Sequence, residues 1–314
     1  DKYNGPDGEI NSKTQLAVLP QFFSTYSLPK YKLTLGLGSY SPYGLRMEWP
    51  DNSPLTHEGQ MGQIEYLTLN PVVAYQILPS LSIAAGPTIN YSEADIKDNL
   101  GFINHFRGRD MDVGYNVGIL WHPLPEHSFG ITYRSATEMH YEGHATYLGD
   151  PAINVKNSAS FRFPQTVAGG YSFRPTTNWN FEADATWSDW SSLQMVTVGP
   201  QPVPETLPFN WHPSWMFDFG ATRYLGNGWH VSGGYMYSMN TVPDNTFNPL
   251  VPDSDRHIFS IGVGKRYHKF SWDLAYQLSW GPTRAVNNDN DYPLANGNYE
   301  FLSHAISVNV GYHF

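Results

Sequence analysis

The chain contains no cysteine. That absence removes disulfides, thiol nucleophiles and zinc–thiolate sites together, and it suits the periplasm or the outer membrane. No apolar run reaches about 18 residues, which excludes a membrane-spanning helix. Charge is scarce: Asp, Glu, Lys and Arg make up 15% of the 314 residues, and the net charge of -10 argues against a nucleic-acid partner. A secretory leader is missing too. The chain opens DKYNGPDGEI, polar and turn-rich, and reads either as a mature form or as a fragment that begins inside a longer protein. Catalytic motifs are lacking: the 12 His and many Ser fall in no nucleophile–base pattern such as G-x-S-x-G, so no enzyme is expected. The acidic stretch Asn287 to Asp291 lacks the glycine and the spaced last carboxylate of a calcium loop, and reads as a solvated loop. No metal or cofactor site is expected.

What is abundant is aromatic: 21 Tyr, 17 Phe and 10 Trp. They fall in a period of two. Ile306, Val308, Val310, Tyr312 and Phe314 alternate with Ser307, Asn309, Gly311 and His313, and Phe270, Trp272, Leu274, Tyr276, Leu278 and Trp280 alternate with Ser271, Asp273, Ala275, Gln277 and Ser279. A soluble sandwich has no interior room for so many large rings, whereas lipid accepts them all on the outside of a closed barrel. The apolar face is therefore read as outward.

Thirteen segments show this periodicity, at about 13–28, 30–41, 61–78, 80–93, 110–122, 127–138, 160–173, 177–190, 213–224, 228–239, 256–267, 269–280 and 300–314. The connections alternate between short ones, supplied with Pro, Gly and Asn, and long ones near 42–60, 94–109, 139–159, 191–212, 240–255 and 281–299. Tight periplasmic turns and long outer loops are the habit of outer-membrane barrels. The sequence predicts an all-β, single-domain transmembrane antiparallel barrel over 1–314. Because the last strand follows a long loop, counting back places residues 1–12 outside. An even strand number then implies fourteen strands, with the first absent from this sequence. Arg134, Arg162, Glu182, Asp184, Asp218, Arg256 and Asp273 fall on the inward register.

The segments GLGSYSPYGLRMEW (Gly36 to Trp49), LTLNPVVAYQI (Leu67 to Ile77), WNFEADATWSDWSSL (Trp179 to Leu193) and above all VPDNTFNPLVPDSDRHIFSIGVG (Val242 to Gly264) resemble the long-chain fatty acid transporter family of the outer membrane, the FadL type. The likeness runs from about Lys13 to Phe314. It implies a fourteen-stranded barrel with an N-terminal hatch. Such a barrel carries hydrophobic substrates from an outer groove to an internal pocket and then sideways through the wall. Two departures stand out: hatch and first strand are absent, and the loop at 94–109 is short where well-known members carry a long helical one.

Candidate ligand-binding residues follow. An amphiphile with a carboxylate head needs a cation in an otherwise apolar pocket, and Arg256, beside Asp253 and Asp255, offers a forked donor that stays charged. The alternative is an ion pair between Asp255 and Arg256 that fixes a loop to the wall. Arg134 and Arg162 are further inward cations, either ligand contacts or partners of Glu182 and Asp184. Phe247 and Leu250, with Pro249, are apolar loop residues that would line the mouth or simply pack. Phe102 and Phe106, with Ile103, would form a small capture groove. A mid-strand proline interrupts a ladder, and the resemblance assigns the lateral opening to Asn70 and Pro71.

The reading that results is passive uptake of long-chain fatty acids or hydrocarbons by a monomer in the bacterial outer membrane, among its lipid and lipopolysaccharide. A nonspecific porin, with a water-filled charged channel, and a structural or adhesive barrel remain alternatives.

Overall fold

The computed structural model describes residues 1–6, 8–57, 59–97, 103–147, 150–199, 205–287 and 293–314. Its strands are β1 (Lys2–Gly5), β2 (Gly8–Asn11), β3 (Phe22–Leu28), β4 (Leu33–Tyr40), β5 (Gly44–Glu48), β6 (Met61–Leu78), β7 (Leu81–Lys97), β8 (Ile103–Leu124), β9 (His127–Arg134) and β10 (Thr137–Tyr147). They continue with β11 (Asp150–Phe163), β12 (Thr166–Thr176), β13 (Trp179–Ser188), β14 (Met195–Gly199), β15 (Glu205–Pro208), β16 (Ser214–Tyr224), β17 (Trp229–Ser238), β18 (Arg256–Tyr267), β19 (Phe270–Val286) and β20 (Gly297–Tyr312). All pairings are antiparallel, and consecutive staves are neighbours from β3 round to β20.

Among the described residues thirteen staves make the wall, because β4 and β5, β9 and β10, and β11 and β12 are each one stave with a break. At the outer end β1 pairs with β20 and with β2. Tight turns close the other end, with left-handed backbone at Lys32, Asn227, Gly228 and His268. Gly228 has no alternative there: a Cβ would lie 2.1 Å from the Arg266 carbonyl oxygen.

The apolar face points outward. Val113 is 66% exposed, Ile306 75% and Val310 78%, and Trp272, Tyr276 and Tyr312 share that face. In water each such side chain would forfeit about 1.5–3 kcal/mol of burial. Repeated around the whole wall, that loss exceeds any domain's net stability. Only a hydrocarbon surround makes the arrangement stable. Asp184 and Asp218 sit opposite each other on the inner face of β13 and β16.

Three expectations change. The loops expected near 94–109 and 139–159 are largely strand, since β7, β8, β10 and β11 continue beyond the lipid band as a raised sheet. Of the expected strand at 13–28, only Phe22–Leu28 pairs in the wall. Arg162, expected inward, is exposed on the outer face while Phe161 and Phe163 turn in. The cause is a pair of breaks. At Ser135–Ala136 the Ser135 hydroxyl accepts the Tyr115 N–H at 3.0 Å in place of a ladder carbonyl, and at Pro164–Gln165 the proline has no N–H to give. Each break shifts the alternation by one, so every side chain beyond it changes face.

The outer loops converge into a packed cap. Tyr3, Trp49, Leu55, Leu193, Val242, Phe247, Val286, Ala295 and Tyr299 are buried together. Trp49 Nε1 donates to the Pro249 carbonyl at 2.9 Å and Tyr3 Oη to the Asn296 carbonyl at 2.9 Å, so distant loops are tied to one another.

Candidate functional site

The change of facing above the breaks builds the site. Met139 and Tyr141 of β10, Phe161 and Phe163 of β11 and Phe106 of β8 all point inward, and the loop residues Tyr43, Trp190, Phe209 and Trp211 meet them. Between these groups lies a cavity of about 760 Å³, lined by Tyr43, Phe106, Tyr141, Phe161, Phe163, Trp190, Phe209 and Trp211 among others. The rings brace each other, Trp190 meeting Trp211 edge-on at 5.0 Å and Phe161 lying 5.0 Å from Phe163. Tyrosine hydroxyls are satisfied away from the cavity: Tyr43 donates to the Pro164 carbonyl at 2.9 Å and Tyr141 pairs with Ser92 at 2.8 Å. What remains facing the cavity is predominantly apolar, ring and aliphatic surface together.

Arg256 opens β18 at the edge of this cavity. Its Nη2 donates to Asp253 Oδ1 at 3.0 Å and its guanidinium stacks over the Phe301 ring at 4.0 Å. Nε is buried without a hydrogen-bond partner among the described residues. A guanidinium with a spare donor has the chemistry to hold an anion. Asp255 is not its partner: Asp255 accepts from Tyr237 Oη and from the Asn240 N–H, both at 2.8 Å.

Leu250 and Phe106 line the cavity with Arg256. Phe247 does not. It is fully buried in the cap, 4.6 Å from the Tyr299 ring. Arg134 lies lower in the lumen, where its Nη2 donates to Tyr40 Oη at 2.9 Å and it makes no ion pair with Glu182 or Asp184. Arg162 is outside the wall, opposite Glu138. Phe102 lies outside the described residues, as does all of the Asn287–Asp291 stretch except Asn287.

Two irregularities mark the wall. The β6–β7 ladder stops at Leu69–Ile89 and resumes at Val73–Ala85, with Pro71 and Pro87 in the interval. The strands nonetheless touch, a Cβ on Gly86 falling 2.0 Å from the Pro71 carbonyl oxygen. Asn70 fills the break, donating to the Pro87 carbonyl at 2.7 Å and accepting from Asn116 at 2.9 Å and from Tyr40 at 3.4 Å. The second irregularity is wider. Beyond Tyr40 the stave breaks at Ser41–Tyr43, and β5 pairs with β6 alone among the described residues. On its other edge runs an irregular strap, residues 12–21, tied by the Lys13 N–H to the Glu48 carbonyl at 2.8 Å, by Lys13 Nζ to Glu48 Oε1 at 2.8 Å and by Gln15 Nε2 to Glu48 Oε2 at 2.9 Å. The Lys13 ammonium holds the Glu48 carboxyl below its usual range. Pro42, Gly44, Leu45, Arg46 and Met47 all line the cavity, so the cavity reaches the wall at this edge.

Sequence reasoning missed Arg284. Its guanidinium donates to Asp244 Oδ1 at 2.6 Å, Val242 O at 2.7 Å, Asn240 Oδ1 at 3.0 Å and Asp253 O at 2.5 Å, and covers the Phe247 ring at 4.9 Å. It thereby holds the loop that carries Leu250 and Asp253.

The chain is similar to the long-chain fatty acid transport protein of Escherichia coli O6:H1, at 22% identity over 276 residues. That alignment covers 73% of this chain but only 61% of the relative, so the chain spans less than two thirds of that protein. The Salmonella typhi protein of the same name is 22% identical over 85% of this chain and 69% of its own length. Among solved structures, a Pseudomonas aeruginosa FadL homologue superposes with a TM-score of 0.83 at 19% identity, covering 94% of this chain and 78% of that one. The Pseudomonas putida toluene transporter TodX gives a TM-score of 0.74 at 16% identity, covering 99% and 85%. At such identity these structures share the fold. The model of the outer membrane protein transport family (OMPP1/FadL/TodX) matches residues 4–314, and with its barrel in the bacterial outer membrane this chain belongs to that family.

Proposed function

We propose that this chain carries hydrophobic molecules passively across the outer membrane, and that its preferred ligand is an amphiphile with a long apolar body and one anionic head, a long-chain fatty acid. The supporting observation is the ring-lined cavity with Arg256 at its edge. Rings bury the tail at about 25 cal/mol per Å² of apolar surface, while the guanidinium replaces the head group's lost water. The ligand leaves through the wall at the free edge of β5, beneath the strap, into the outer leaflet. Asn70 and Pro71 border that exit from below, since Asn70 is bonded to Tyr40, the last residue before the break. The work is binding and diffusion, with no bond made or broken.

A hydrocarbon-only reading draws on the Asp253–Arg256 ion pair, which already occupies part of the guanidinium. Replacing Arg256 by Ala separates the two. One charge-assisted contact is worth about 1.5–3 kcal/mol, so fatty-acid affinity is expected to fall about tenfold to a hundredfold while alkane affinity holds. Equal losses for both ligands would refute the carboxylate role. A porin would instead conduct ions strongly in a planar bilayer.

A further inference from the structure

The raised part of the wall carries a face with no role in the cavity. On β6, β7 and β8 the outward residues are apolar up to Leu67, Tyr91 and Met111 and charged immediately beyond. Two transverse rows follow. One runs Glu65, Glu93, Arg109, Glu142, Ser158 and the next Gln63, Asp95, Arg107, His144, Lys156, each residue directly opposite the next across β6, β7, β8, β10 and β11. Arg107 and Lys156 thus flank His144 as consecutive cross-strand neighbours. Arg107 is satisfied, 2.5 Å from Glu93. Arg109, Lys156 and Arg162 are exposed and, among the described residues, make no ion pair.

Arg162 is the telling one. Its opposite number, Glu138, donates its backbone N–H to Asp112 Oδ2 at 2.8 Å, which puts both residues level with the lipid-facing Val113. A cation at the rim of the hydrocarbon band is stable when an anion of the lipid itself meets it. The charge is also one-sided. Level with Arg162, the outward row around the far half of the barrel is Phe217, Tyr237, His257, Trp280 and Leu302, with no Lys or Arg, and above it Lys2 is paired with Glu9 and Glu300. General solubility would not leave cations without carboxylate partners on one side.

We propose that the outward face of β8, β10 and β11 is a docking surface for the phosphorylated glucosamine headgroup of lipopolysaccharide, with Arg162 at the rim and Arg109 and Lys156 above it receiving phosphate. The carboxylates Glu138 and Glu142 between these cations accept from sugar hydroxyls and amides, so the face is matched to a phosphosugar and poorly matched to a plain anionic phospholipid. Because the surface faces away from the cavity, this inference stands apart from the transport reading.

The test titrates the purified full chain in mild detergent with lipopolysaccharide and reads the bound fraction by native mass spectrometry. The variant Arg109→Ala/Lys156→Ala/Arg162→Ala is expected to bind at least about tenfold more weakly, with cavity-ligand affinity unchanged. Enzymatically dephosphorylated lipopolysaccharide should show the same loss on the unaltered protein, which keeps the test independent of any folding defect. Phosphatidylglycerol should bind more weakly than lipopolysaccharide. Undiminished binding of the dephosphorylated glycolipid, or phosphatidylglycerol binding as tightly, would overturn the proposal.

Discussion

Arg284 offers the sharpest perturbation. Its side chain is only 10% exposed, and its guanidinium supplies donors to four acceptors in the 240–255 loop while covering Phe247. Cutting it back to Ala leaves the Asp253 carbonyl without its donor, leaves the Val242 carbonyl and the Asn240 amide oxygen with only their mutual hydrogen bonds, and removes the ring's lid. Because the Asp244 side chain is 46% exposed, the figure that applies is that of charge-assisted contacts, about 1.5–3 kcal/mol. If that cost falls on the loop alone, its open population rises about 10- to 150-fold. The loop contributes Leu250, Val251 and Asp253 to the cavity, so ligand affinity should fall with it. The assay is limited proteolysis of the folded barrel, following cleavage within residues 240–255 against cleavage elsewhere. Arg284→Lys, which keeps the charge but loses the fork, should lie between the two. Cleavage of Arg284→Ala at the unaltered rate would refute the claim that one side chain holds this loop.

The strap supplies two further predictions. With no native cysteine, the pair Lys13→Cys/Glu48→Cys can be closed alone, and the 2.8 Å backbone contact between these residues brings their Cβ atoms within disulfide range. Oxidation is expected to slow fatty-acid uptake in cells with binding intact, reductant to restore it; uptake indifferent to oxidation would exclude the strap as the exit's border. Because Lys13 depresses the Glu48 carboxyl below its ordinary 4.5, the tie is complete above that pH and is lost as pH falls through the lowered value. A spin label at Val18→Cys should therefore stay restrained from pH 7 down to about 5 and loosen only below the ordinary carboxylate pKa. Loosening already near pH 6 would contradict the assignment.

The barrel was legible because a period of two survives any loop error: Trp272, Tyr276 and Val310 face outward as their alternation requires. Residues 139–159 carry the same period, yet their large groups, Met139, Tyr141 and Tyr147, alternate with Glu138, His140, Glu142 and His144. Charges where lipid was expected made them look like loop. They are strand above the bilayer, where the preference for faces reverses. Arg162 was misplaced for the related reason that a one-residue break at Pro164–Gln165 leaves no mark beyond a proline. Arg256 faces inward as its alternation requires, because it opens a strand whose register is continuous. Arg284 was missed, since its partners are mostly carbonyls of a loop some forty residues away, and backbone acceptors have no sequence signature.

The cap built from Tyr3, Trp49, Phe247 and Tyr299 has a consequence for the cell. Under the transport role proposed above, a stopper of interlocked rings interrupts the column of water at the mouth and so disfavours solutes that travel only in water, hydrophilic antibiotics among them. Oils need no such column. On that reading the bacterium takes up grease without weakening the sieve that shields it.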